Sequence, residues 1–164
     1  VISGPQLREA FLDAPMWHYF KCKLRDVEEA ELLLRVEETL KFLFIAGECT
    51  GSIPVSREID DVWHLWILQT QEYMRLCEQL PQGSYIHHSS NDYLRWFDPA
   101  VGEGQPLAED VKMLALYVHN FGPFEPERVR HWLLAAHLVQ RCGWTVGSLN
   151  DWLQSSPSSA LAPV

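Results

Sequence analysis

The sequence predicts an all-α fold. Three observations carry this: apolar residues recur every three or four positions along most of the chain, no segment alternates as a half-buried strand would, and Gly- or Pro-bearing breaks divide the chain into helix-sized pieces. With 164 residues, 47% hydrophobic and 21% charged, the composition is globular, and the chain is long enough to bury a core without a disulfide or metal as an obligatory staple. The expected architecture is a single compact helical domain over residues 1–154, of about six to eight helices with one irregular His-bearing loop. Residues 155–164, rich in Ser, Pro and Ala, are expected to form a flexible tail.

Between residues 6 and 24, Leu7, Phe11, Leu12, Met16, Phe20 and Leu24 mark two short helices, the second opening at Pro15, which suits an early helical position. Asp26 then stands as the cap of a longer helix over 27–46. Its first turns are acidic through Glu28, Glu29 and Glu31, and its apolar stripe is Leu32, Leu33, Val36, Leu40, Leu43 and Phe44. Gly47 ends it, and Gly51 with Pro54 makes 48–55 a loop. Ser56 caps the next helix, expected unbroken over 57–79, with Ile59, Trp63, Trp66, Thr70, Tyr73 and Cys77 on one buried stripe. Leu80-Pro81-Gln82-Gly83 stops it, and 84–90 is an extended connection bearing His87 and His88. A short helix over 92–97 and a turn-rich loop over 98–106 with Gly102 and Gly104 follow. Helices over 107–120, 125–142 and 146–154, separated by Gly122-Pro123 and Gly143, complete the chain.

Charge narrows the function. Thirteen Lys and Arg against twenty-two Asp and Glu give a net charge of -9, which repels a nucleic-acid backbone or an anionic membrane, so neither is an expected partner. The basic residues are scattered and form no long run. Four cysteines, at 22, 49, 77 and 142, show no CxxC and are expected to be reduced, mostly buried thiols. No apolar run reaches the ~20 residues of a membrane span, and no secretory signal pattern opens the chain, so a cytoplasmic location is expected. No GxSxG elbow and no Gly-rich phosphate loop appears.

The residues able to assemble chemistry lie between 59 and 88. Asp60 and His64, four apart on a helix, lie on one face roughly 6 Å apart, and Asp61 with His64 is nearly as well placed. Carboxylate and neutral imidazole together suit iron, zinc, copper or manganese. A second imidazole from His87 or His88 would complete a two-His, one-carboxylate set with open positions. Adjacent side chains in an extended segment point to opposite sides, so one of the pair is expected to reach the metal and the other to serve as an outer hydrogen-bond or proton-transfer group. The same residues also fit a plain hydrogen-bonded corner, in which Asp60 satisfies a half-buried imidazole. A third alternative is metal-free catalysis, in which Asp60 orients His64 as a general base. His18, His119, His131 and His137 stand alone or on different helix faces and read as packing or surface histidines, and Trp63 and Trp66 read as core.

The ordered set Thr39-Leu40-Lys41-Phe42-Leu43, Pro54-Val55-Ser56, residues 59–70 (IDDVWHLWILQT), Tyr73, Cys77, Gly83 and Ile86-His87-His88 resembles an uncharacterised bacterial family, described as glycine-rich domain-containing protein-like after plant relatives. Its pattern is a (V/I)D-x-VWH helix, a Tyr and a Cys further along, and a closing HH. The resemblance covers roughly residues 30–90 and implies roles for Asp60, Trp63, His64, Tyr73, Cys77, His87 and His88, with Asp60 favoured over Asp61. Many members carry a second His where Trp66 stands here, and Ser89-Ser90 replaces a more acidic or Pro-containing turn. The resemblance implies sites and brings no reaction with it.

Two functions follow as expectations. One is a divalent-metal-binding domain, a biosynthetic or tailoring enzyme, holding the ion through Asp60, His64 and one of His87 and His88, with Asp61, Trp63, Tyr73 and Cys77 in support. The other is a non-enzymatic interaction module joined to a protein partner or an adjacent domain. Neither names a small-molecule or peptide substrate.

Overall fold

A computed structural model describes residues 1–49, 53–98 and 107–155. Ten α-helices account for its regular structure among these residues: α1 (Gly4–Phe11), α2 (Ala14–Lys23), α3 (Glu29–Ile45), α4 (Arg57–Leu68), α5 (Thr70–Gln79), α6 (Asn91–Phe97), α7 (Leu107–Phe121), α8 (Pro126–Val129), α9 (Leu133–Gln140) and α10 (Val146–Ser155). The all-α expectation holds, although nine of these helices have seven residues or more, above the six to eight expected, because two expected helices are broken. The Gly102/Gly104 loop and all of the expected tail beyond Ser155 lie outside the described residues.

Local chemistry explains the helix starts. Ser3 and Gln6 form a reciprocal capping box on α1, with Ser3 Oγ accepting from Gln6 N. Asp13 accepts from Met16 N to cap α2, and Thr145 Oγ1 accepts from Ser148 N at the start of α10. Asp26 does not cap α3; that helix begins at Glu29, with Glu28 at the cap position making no side-chain cap bond. Its acidic first turn serves the helix dipole instead.

Helix α3 is the axis of the fold, packed against α1, α4 and α7. Leu32, Val36, Leu40 and Leu43 are buried as expected, while Leu33 and Phe44 are only half-buried. Between them the helix also buries three charges, Glu37, Glu38 and Lys41. Glu38 Oε1 accepts from Lys41 Nζ and Arg128 Nη1, each at 2.8 Å, and Glu38 Oε2 accepts from Trp132 Nε1 at 2.9 Å. Lys41 Nζ also donates to Tyr117 Oη at 2.8 Å, and Glu37 pairs with Arg8 and Arg128. Each charge is thus met by an opposite one, which is the condition for tolerating it in a core. Burial pushes the Tyr117 phenol well above its ordinary range, helped by the Glu38 carboxylate, so it stays a hydroxyl.

Two expected helices are broken. The 57–79 helix stops at Leu68 and restarts at Thr70 across Gln69 (φ -89°, ψ 73°), whose N–H bonds to Trp66 O. A straight helix would separate Trp63 from Tyr73 by ~15 Å along its axis. The break folds α5 back on α4, so that Trp63 Nε1 donates to Tyr73 Oη at 2.9 Å, and Thr70, expected on the stripe, is exposed. The 125–142 helix is interrupted at Trp132 (φ -119°, ψ 112°), which forms an isolated antiparallel bridge with Val55. Ser56 N donates to His131 O and Leu133 N to Pro54 O, each at 2.9 Å. This clasp fixes the residue that caps α4.

His131, expected on the surface or in ordinary packing, is wholly buried beside that cap. Its Nδ1 lies 2.9 Å from Ser56 Oγ, while its Nε2 has no hydrogen-bond partner and sits 3.5 Å from Glu31 Oε1. Burial, reinforced by the Arg130 charge, holds the imidazole below its ordinary pKa against the pull of Glu31, Glu58 and Glu38. The four cysteines are all free; Cys77 is buried and Cys49 half-buried, but Cys22 and Cys142 are exposed, so the expectation of mostly buried thiols fails for those two. No helix among the described residues is long and apolar enough to cross a membrane.

Candidate metal centre

Ser56 opens α4 by accepting from Ile59 N, and the helix then presents Asp60 and His64 one turn apart on its outer side, while Ile59, Val62, Trp63 and Trp66 face the core. The second half of the site comes from the chain beyond α5. Leu80 caps that helix in an extended conformation, Gly83 N donates to Leu80 O at 2.9 Å, and Gly83 takes φ 63°, a conformation that favours glycine. The chain therefore reverses and runs back along α4.

Tyr73, Cys77 and Trp63 fix the returning segment. Tyr73 Oη donates to Ile86 O at 2.5 Å, and Ile86 N donates to Cys77 Sγ at 3.5 Å. Both backbone groups of Ile86 are thus satisfied from α5. Trp63 completes the set: its indole donates to Tyr73 and lies tilted against His88, with the ring centroids 4.3 Å apart. Burial raises the Tyr73 phenol far above its ordinary range, so it remains protonated and available as a donor.

His88 is set over Asp60 as a result. His88 Nε2 lies 2.7 Å from Asp60 Oδ1, His64 Nδ1 lies 3.5 Å from Asp60 Oδ2, and the two imidazoles are 4.2 Å apart in an edge-to-face arrangement. One donor atom from each of Asp60, His64 and His88 falls within 4.8 Å of the others. Ligands bonded to zinc at ~2.0–2.1 Å in a tetrahedral arrangement stand about 3.3 Å apart, so the three donors could hold one ion once side-chain rotations draw them together. His64 Nδ1 also lies 2.7 Å from Asp60 O, the backbone anchor that commonly fixes a ligating imidazole's tautomer. His88 is nearly buried, whereas the His64 side chain is 53% exposed. The open side of the group therefore faces solvent.

Asp60, His64 and His88 are brought together; the other expected ligand, His87, is not. Its exposed ring lies tilted beside Tyr85, centroids 4.9 Å apart, and it lines a cavity on the other side of the segment. Asp61 is exposed and stands outside the group. The support expected of Trp63, Tyr73 and Cys77 is indirect, since all three act through the 86–88 backbone or the His88 ring. Missed at the level of sequence were Glu38, Arg128, Trp132 and His131, which anchor α4 and its cap from behind. The signal was present in Glu37-Glu38 and Lys41, three charges set among the apolar stripe residues Val36, Leu40 and Leu43.

No family model, curated protein or solved structure matches the chain.

Proposed function

We propose that the protein binds one divalent transition metal through Asp60, His64 and His88, and that the metal's open positions, on the solvent side of His64, make it a Lewis-acid or oxygen-activating centre of a biosynthetic or tailoring enzyme. The observation that carries this is the convergence of three donor atoms within 4.8 Å from two separate chain segments. Two imidazoles and one carboxylate are a donor set suited to iron, zinc, copper or manganese. Support comes also from the resemblance of residues 30–90 to the glycine-rich domain-containing protein-like family, because Trp63, Tyr73 and Cys77, which that pattern marks, hold His88 in place.

Elemental analysis of protein purified without chelator, followed by titration of the stripped protein with Zn2+, Mn2+, Fe2+ and Cu2+, tests the assignment. Near-stoichiometric uptake is expected, abolished by His64→Ala and by His88→Ala and retained in His87→Ala. No uptake, or uptake indifferent to both ligand substitutions, refutes it and leaves Asp60–His88 as a hydrogen-bonded corner. One observation favours the interaction-module reading: α6 leaves Tyr93, Trp96 and Phe97 at 60%, 85% and 68% exposure. Such a patch is unusual on a free surface. A stoichiometric partner copurifying with metal-free protein, and lost on Trp96→Ser, would support that reading over the metal.

A further inference from the structure

The cavity beside the His segment is the strongest feature left unused. It offers about 290 Å³, half open to solvent, between the end of α3, the residues leading into α4, the 86–89 segment, α6 and α7. Phe42, Trp63 and Met113 give it apolar walls, and Cys49, His87 and Ser89 are its polar groups. Phe42 and Trp63 meet edge to face at 5.1 Å, so the aromatic wall is rigid. Apolar walls with a few polar groups are the usual make-up of a small-molecule site, and this volume lies just under the usual range of ~300–1,000 Å³.

We propose that this cavity is a binding site for a small neutral aromatic molecule, a single or fused ring carrying one hydroxyl or N–H group that hydrogen-bonds to His87 or Ser89. The ring packs against Phe42, Trp63 and the Met113 thioether, a favourable partner for aromatic edges. Charge selects the neutral form. The Cys49 thiol is pushed up to about 11 by burial, against the pull of Lys112 and with help from Glu109, Glu48 and Asp110. An environment that keeps a thiol from ionising penalises a carboxylate ligand in the same way. His87 gains a purpose here that the metal group does not give it, since it faces the cavity while its neighbour His88 faces Asp60.

The site stands on the cavity's own geometry, and the metal assignment can fail without it. Its test uses the chain's three methionines. Met113 lines the cavity, Met16 is buried elsewhere and Met74 is exposed. With carbon-13 methyl-labelled methionine, titration with p-cresol or indole is expected to shift the Met113 signal alone, with a dissociation constant of about 0.1–1 mM. The size-matched anion 4-methylbenzoate is expected to bind at least about tenfold more weakly. Ala46→Phe, which fills the cavity from its α3 side, is expected to abolish the shift. His87→Ala, at an exposed position that leaves the fold intact, is expected to weaken p-cresol severalfold and to leave toluene unchanged. An unmoved Met113 signal at ~5 mM ligand, well above the expected dissociation constant, overturns the site. Equal binding of 4-methylbenzoate overturns the ligand class, and shifts that include Met16 and Met74 or survive Ala46→Phe overturn the location.

Discussion

Glu38→Gln is the substitution that most directly tests why a charged network sits in this core. The side chain is fully buried and its two oxygens serve Lys41, Arg128 and Trp132. Glutamine matches glutamate in size, so no cavity opens and the change is electrostatic. If the amide oxygen stays toward Lys41 and Arg128, the amide NH2 faces the Trp132 indole N–H, donor against donor, at a cost of about 1–3 kcal/mol. Arg128 keeps Glu37 at 2.9 Å. Lys41, whose side chain is 6% exposed, keeps the amide oxygen and the Tyr117 hydroxyl and ring face but loses its counter-charge. Breaking a buried pair on one side costs about 3–5 kcal/mol in total, which at this chain length lowers Tm by about 6–20 °C. Urea unfolding followed by circular dichroism reads this as a lower midpoint at unchanged slope. Adding Lys41→Met to Glu38→Gln should recover at least ~1 kcal/mol by removing the stranded ammonium. Glu72→Gln, at the exposed Arg75 pair, should stay within ~0.5 kcal/mol. A loss below ~1 kcal/mol for Glu38→Gln, or no recovery in the double variant, would refute the network's role in stability.

Tyr73→Phe strands the Trp63 N–H and the Ile86 carbonyl, so a stability loss of about 2–4 kcal/mol is expected. If the metal assignment holds, zinc affinity falls ~10-fold or more as His88 loosens; an unchanged midpoint with unchanged metal uptake counts against Tyr73 as the anchor. His131 has a depressed pKa in the fold, so the unfolded chain binds its proton first on acidification. The stability it contributes is present above the ordinary histidine pKa near 6.5 and is lost as the pH falls toward the folded value. Urea titrations from pH 7.5 to 5 should therefore show a steeper loss in the wild type than in His131→Asn, by at most ~1.4 kcal/mol per pH unit, and parallel curves would contradict it.

Periodicity revealed α1, α2, most of α3, α7 and α10 because each buries an apolar stripe at helical spacing. It could not reveal the breaks at Gln69 and Trp132, since neither carries Gly or Pro. The first is imposed by Trp63 reaching Tyr73, and the second by pairing with residues 54–56 across more than seventy positions of sequence. Legible in the same way was the Asp60–His64 half of the site, a one-turn spacing on a single helix. Choosing His88 over His87 required the exact turn at Gly83 and the grip on Ile86, which depend on tertiary contacts. The charged network is visible in the sequence only as residue types, because its partners Arg128 and Trp132 lie some ninety residues away.

The clasp between residues 54–56 and 131–133 has a consequence for where the protein can be divided. Residues 30–90 contain Asp60, His64 and His88 together with the residues that hold them, Trp63, Tyr73 and Cys77, and would be a natural segment to excise. Alone, they would lose the carbonyl that receives Ser56 N, the guanidinium that neutralises Glu37 and Glu38, and the Trp132 ring that covers Phe42 at 6.4 Å. This stretch is therefore not a transplantable cassette. The arrangement of Asp60, His64 and His88 leans on the C-terminal half, so grafts or fusions that carry it need both halves of the chain.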